Sequence, residues 1–232
     1  MWLLKKFSSH ILSVIPAIAI RGKRRRGEVV KQHPDFLGND GIDYTDRCFN
    51  SITLPGKEVT AKEFYNCTFT GCDFTKTVFL KCKFSDCRFE SCNLSLIKVT
   101  GTSFFNSLFR NSKILGVNWT QASWPQVKLP SSIQFLNCVI SDSTFFGLYL
   151  KDIRIRECLA RDTDFREADL TGADFAHTDL ICSLFVNTDL SRADFTQARN
   201  YSIKISENRI KDAKFSMPEA MSLLYCLGIK IT

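Results

Sequence analysis

The chain has 232 residues, a formal net charge of +7 and ten cysteines, a length that would suit one or two globular domains. The charge is concentrated: residues 1–31 hold eight basic groups (Lys5, Lys6, Arg21, Lys23, Arg24, Arg25, Arg26, Lys31) against Glu28, or 8 − 1 = +7, leaving 23 basic and 23 acidic groups elsewhere. Such a tail can touch phosphate without specificity, but no aromatic interleaving supports direct, specific reading of nucleic acid.

Residues 1–42 read as a basic and apolar extension and cap. The run Ile11 to Ile20 is too short to span a bilayer. It has signal-peptide features, with Lys5 and Lys6 before it and Ala17-Ile18-Ala19 at its end. The run Arg21-Gly22-Lys23-Arg24-Arg25-Arg26 that follows opposes export. A disordered or loosely docked tail, or a contact of residues 1–31 with a membrane surface, is the expected role.

From Phe49 to Trp119, and again from Phe135 to Phe215, a large apolar residue falls on every fifth position, as in Phe64, Phe69, Phe74, Phe79, Phe84 and Phe89. Neither a helix nor a flat strand has that period. Two residues before most of the large ones sits a small one, among them Cys67, Cys72, Thr77, Cys82, Cys87 and Cys92. Turning inward twice per five residues makes one side of a square coil, so residues 20 apart stack. Phe64, Phe84 and Phe104 then form one column, and Phe145, Phe165 and Phe185 another. Stacked coils bury a core that no single repeat closes alone. The first block covers residues 43–124.

Cys67, Cys72, Cys82, Cys87 and Cys92 share the small inward position and form no Cys-x-x-Cys pair. Their parallel stacking at about 4.8 Å exceeds the ~3.5–4.5 Å between the Cβ atoms of a disulfide. Buried free thiols and a reducing, cytoplasmic setting are expected, and no metal site or cofactor.

Between Trp119 and Phe135 the count is 16, one more than three repeats. Residues 125–134 read as a bulge or short loop leaving the wall, because prolines cannot donate to the ladder between coils. Trp124, Pro125, Gln126, Val127, Lys128, Leu129 and Pro130 are its candidate partner-binding residues, since an insertion in a regular solenoid often carries binding. A plain splice between blocks is the alternative.

The second block, 135–215, is acidic. Residues 142–195 hold six basic and eleven acidic groups, whereas residues 64–124 hold seven and three. Asp162, Asp164, Asp169, Asp174, Asp189 and Asp194 are candidates for facing a basic partner; the alternative is that aspartate suits a turn-flanking position and keeps a solenoid soluble. Paired columns such as Asp169 and Asp189 follow from the repeat, and His10, His33 and His177 lack catalytic company, so no enzyme is expected. Residues 216–232 change idiom. Ser216 and Glu219 suggest a capping box with Pro218 in the first turn. Met221, Leu223, Leu224 and Leu227 give an apolar helical face for a cap or a homodimer, Gly228 a stop, and Ile229-Lys230-Ile231 a short strand.

The iteration of Ala168-Asp169-Leu170-Thr171-Gly172 and Ala173-Asp174-Phe175 resembles the pentapeptide-repeat family across roughly residues 43–215. The resemblance implies an all-β solenoid, a right-handed quadrilateral β-helix with a C-terminal capping helix. Leu115-Gly116-Val117-Asn118-Trp119, and Pro218-Glu219-Ala220 with Leu224 and Leu227-Gly228-Ile229, are similar to the microcin-immunity members. The cysteine–phenylalanine repeats and two-block layout are similar to the Qnr-type quinolone-resistance members. What this implies is a non-enzymatic, DNA-like binder of a type II topoisomerase (DNA gyrase or topoisomerase IV) that protects it from an inhibitor, as a homodimer joined at the C-terminal helix. A scaffolding solenoid with another partner is the rival.

Overall fold

A computed structural model describes residues 29–31, 43–127 and 133–229. The expected readings of the apolar and basic runs, Ile11 to Arg26, lie outside the described residues. Every strand pairing is parallel, and the chain winds as a four-sided β-solenoid. One side carries a seven-stranded sheet that begins with Val29–Lys31, paired to Cys48–Asn50. Eight steps separate Phe49 from Phe215 on this side, through Phe69, Phe89, Phe109, Phe135, Ile155, Phe175 and Phe195. Val29–Lys31 therefore adds a rung ahead of the first repeat. The side of Tyr44, Phe64, Phe84 and Phe104 carries a four-stranded sheet.

The every-fifth residues fill the interior. Phe69 and Phe84 are 1% exposed and Phe165 is wholly buried. Successive rings on one side lie flat on each other, Phe64 on Phe84 at 4.9 Å and 4°, while rings of adjacent sides meet edge to face, Phe79 on Phe84 at 5.4 Å and 88°. Both arrangements suit the aromatic quadrupole. Phe104, half-buried, is an exception in its column.

The small inward position has a second duty that the sequence reading missed. Its side chain donates to the carbonyl of the large residue one coil back. Thr77 Oγ1 reaches Leu54 O at 2.6 Å, Thr102 Oγ1 reaches Phe79 O at 2.8 Å, and Cys87 Sγ reaches Phe64 O at 3.3 Å. The recurrence of Ser, Thr and Cys, each a donor, was the available signal. All ten cysteines are free.

The corners use left-handed backbone, for example Asp86 at φ 57° and Asn111 at φ 50°. Aspartate and asparagine tolerate that region better than other L residues, and Asp86 is braced by Asn106 Nδ2 at 2.6 Å.

The phase slip differs from the expectation in size. Phe109 pairs with Phe135 and Ile114 is bonded in register with Val139, so the offset is 135 − 109 = 26 against a coil of 20. Six residues are inserted, not one. Only two repeats are needed between Trp119 and Phe135, and the excess leaves from the Phe104 side just after Trp124.

The C-terminal helix is a single short one, Met221–Tyr225. No side chain caps it, so the expected capping box does not form. Ser216 Oγ instead accepts from the Gln197 amide one coil below at 3.1 Å, at a corner where a backbone carbonyl takes that bond in the preceding coil, as Thr196 O does from the His177 amide. Lys230 and Ile231 of the expected terminal strand lie outside the described residues.

Candidate functional site

The repeat determines what each aspartate does before any partner is considered. An aspartate one position before the large residue accepts, through Oδ1, the N–H two residues on. Asp169 takes Thr171 N at 3.0 Å, Asp174 takes Ala176 N at 3.1 Å, Asp189 takes Ser191 N at 3.0 Å, and Asp194 takes Thr196 N at 2.8 Å. These are Asx turns that satisfy the backbone as it approaches the corner. The turn-flanking role is thus visible bond by bond.

The six candidate carboxylates do not share a side. Asp174 and Asp194 lie on the Phe49 side, and Asp169 and Asp189 on the Phe104 side. Asp164 lies on the Trp119 side, and Asp162 on a corner. Four have cations beside them. Arg166 grips Asp164 through Nε–Oδ1 and Nη2–Oδ2, both 2.9 Å. Arg156 approaches Asp174 at 3.4 Å, Arg209 approaches Asp189 at 3.6 Å, and Lys214 approaches Asp194 at 3.9 Å. The Arg166 hydrogen bond holds the Asp164 carboxyl below its ordinary range. Burial alone would raise Asp189, but the hydrogen bonds from Ser191 and the charge of Arg209 outweigh it and hold it low. Asp162 and Asp169 alone of the six form no ion pair among the described residues.

Asp179, not singled out in the sequence, is the most embedded carboxylate, 3% exposed. Asn200 Nδ2 donates to it at 2.9 Å, Arg161 Nη2 at 3.2 Å and the Ile181 amide at 3.3 Å, with Arg199 at 3.8 Å. Burial pushes its pKa up, yet these donors prevail and it stays below the ordinary carboxylate range. No spacing rule separates Asp179 from Asp174: each has an arginine 18 residues earlier, and only Asp179 gains Arg199 and Asn200 from the next coil.

At the insertion, Trp124 is half-buried against the core, and its Nε1 donates to Trp119 O at 2.8 Å. The Ser123 amide still bonds to Thr102 O at 2.8 Å, so the wall runs in register up to this point. Pro125, Gln126 and Val127 then stand in solvent, Val127 at 69% exposure. Lys128, Leu129 and Pro130 lie outside the described residues.

The C-terminal end divides its apolar residues. Leu223 joins the core at 8% exposure, which removes it from the expected dimer face: a helix this short must spend one side closing the last coil. Met221 is half-buried. Leu224, Leu227, Tyr225, Ile229 and Met217 remain exposed and together form an apolar end to the rod. His177 is exposed, and among the described residues no group of His, Cys, Asp and Glu is placed to hold a metal ion. No helix among them is long and apolar enough to cross a membrane.

Family models agree with this architecture. The pentapeptide repeat region model matches residues 42–119, and the pentapeptide repeats model (8 copies) matches residues 149–181 and 156–197. A trypsin-treated variant of QnrB1, a plasmid-mediated fluoroquinolone resistance protein, superposes with a TM-score of 0.61 at 18% identity, over 82% of this chain and 99% of that one. HetL, a pentapeptide repeat protein involved in heterocyst differentiation regulation from the cyanobacterium Nostoc sp. strain PCC 7120, gives 0.58 at 13% identity, over 74% and 84%. A search of curated proteins finds no match. At these identities the solved structures speak for the fold, and with both repeat models spanning the two blocks, this chain belongs to the pentapeptide-repeat family.

Proposed function

We propose that this chain is a non-catalytic binding rod that engages a type II topoisomerase, DNA gyrase or topoisomerase IV, and protects it from an inhibitor. The observation that carries this reading is the opening of one wall. In a coil otherwise bonded rung to rung, the chain departs after Trp124 and presents Pro125, Gln126 and Val127 outward. A rigid wall holding an irregular loop is how solenoids place a specific contact. The fluoroquinolone-resistance role of QnrB1, which shares the fold, adds to it. The exposed Leu224 and Leu227 supply an end-to-end contact for a second copy.

The carboxylates enter differently from the expectation. They are distributed around the rod and largely ion-paired, so they steer encounter rather than imitate a duplex along one stripe. That same distribution favours a second reading, a protein-interaction scaffold with a different partner, with residues 1–31 at a membrane surface. Purified gyrase separates the two. Binding at low salt, with protection of supercoiling from a quinolone or a microcin that is lost on deleting residues 125–130, supports the first. Absence of binding and of any effect on supercoiling leaves the scaffold.

A further inference from the structure

The side that runs from Val59 through Trp119 to Phe185 has an unusual arrangement of charge along its two edges. On one edge the corner positions climb through Lys76, Leu96, Gly116, Asp142 and Asp162. On the other they climb through Lys81 and Gly101, past Gln121 at the end of a single 3-10 turn, to Gly147 and Glu167. Lys76 and Lys81 thus sit on the same coil at opposite edges. Four coils further on, about 19 Å away at the usual strand spacing, Asp162 and Glu167 occupy the same two edges. All four are exposed, and none forms an ion pair among the described residues. Arg166, between the acidic pair, is held bidentate by Asp164 and feels Glu167 only through its field.

The midpoint of this rectangle lies at Gly116, Asn118 and Thr120, which carry no charge. A two-fold axis across the rod at that level exchanges the basic and acidic coils while keeping each edge on its own side. Lys76 then meets Asp162, and Lys81 meets Glu167. Phe146, 40% exposed and touched by the Arg166 guanidinium at 5.7 Å, comes opposite Thr100 and Gly101, over which the aliphatic stem of Lys81 lies. A parallel arrangement, with the axis along the rod, would set Lys76 against Lys81 and Asp162 against Glu167. Like charges in register exclude it. We propose that two copies of the chain associate antiparallel through this side, with Lys76 and Lys81 of each opposite Asp162 and Glu167 of the other. The contact is isologous, so it closes on two copies. It is separate from the apolar end of the rod.

The test uses full-length chain carrying Leu224→Asp and Leu227→Asp, which removes the end contact. Sedimentation at micromolar concentration should show a dimer at about 50 mM salt that weakens at least tenfold at about 500 mM, where screening is strong. Adding Lys76→Glu with Lys81→Glu, or Asp162→Lys with Glu167→Lys, should give monomers with unchanged circular dichroism. Mixing the two reversed chains should form a heterodimer, and combining all four reversals in one chain should restore a homodimer. In the unmodified chain, a zero-length carbodiimide cross-link should join Lys76 to Asp162, a pair too distant within one copy. A monomer at low salt, a dimer indifferent to either reversal, a mixture that fails to pair, or absence of that cross-link overturns the proposal.

Discussion

The ring of Phe135 lies on that of Phe109 at 5.2 Å and 14°, although 26 residues separate them and each other step on this side is 20. The core therefore passes the insertion without a break. Its excess is 26 − 20 = 6 residues, the length of 125–130. Deleting those six should restore the ordinary spacing and leave circular dichroism and thermal unfolding close to those of the parent. Under the topoisomerase reading, protection of gyrase disappears in the same variant. Loss of fold would show that the loop braces the wall rather than decorating it.

Phe84 is stacked between Phe64 at 4.9 Å and Phe104 at 5.1 Å, with Phe79 and Phe89 edge-on at 5.4 Å each. Phe84→Ala should cost about 3–5 kcal/mol in chemical denaturation, through lost burial and a cavity the stacked coils cannot collapse. Each coil touches only its neighbours, so hydrogen exchange should rise in the first block while the amides around Phe175 stay protected.

Thiol reactivity should follow position. Cys48 and Cys182 are exposed, whereas Cys67, Cys72, Cys82, Cys87, Cys92, Cys138 and Cys158 are buried. The adjacent Cys67 sulfur and burial together push the Cys87 thiol above its ordinary range, and the adjacent Cys72 sulfur and burial do the same for Cys92. Alkylation of native protein followed by mass spectrometry should label the two exposed sites first and the seven buried ones only on unfolding. Under non-reducing conditions no Cys67–Cys87 bridge should appear.

Asp179 sets an acid limit. Its folded pKa lies below the unfolded one, so its contribution is complete above about pH 4, the unfolded carboxylate value, and is lost as pH falls through the folded pKa. Asp179→Asn removes the charge but keeps an acceptor for Asn200 and Ile181. It should destabilise the chain at pH 7, by about 1.5–3 kcal/mol from the lost charged hydrogen bonds. The difference from the parent should shrink below pH 4. A gap that persists unchanged into acid would locate the loss in packing instead.

At the end of the rod, Leu223 and Leu224 are adjacent in sequence and opposite in duty. Leu223→Ala should lower stability by about 2 kcal/mol, the lower end for a buried leucine, because the last coil can relax. Leu224→Asp with Leu227→Asp should leave stability unchanged. At about 500 mM salt, where charged contacts are screened, sedimentation should find that double variant monomeric and the parent still dimeric. A monomeric parent there would reduce the end to a cap.

The five-residue beat alone determined the square coil, the inward residues and the stacking of Phe64 on Phe84. A period of five admits no helix or flat strand, and a repeat forces identical positions into columns. Local chemistry was legible to the same depth: an aspartate beside the large residue marks the turn, and the prolines of 125–134 mark the exit from the wall. Only the tertiary structure decided the rest. Whether Trp124 continues the wall or leaves it depends on which carbonyls lie one coil below, and that placed the six extra residues. The rank of Asp179 over Asp174 depends on Arg199 and Asn200, which arrive 20 and 21 residues later, where Asp174 meets Asp194 and Phe195. The opposition of Lys76 and Asp162 along one edge needed the offset of 26 to be known, since a slip of any other length would have turned the acidic half onto another side.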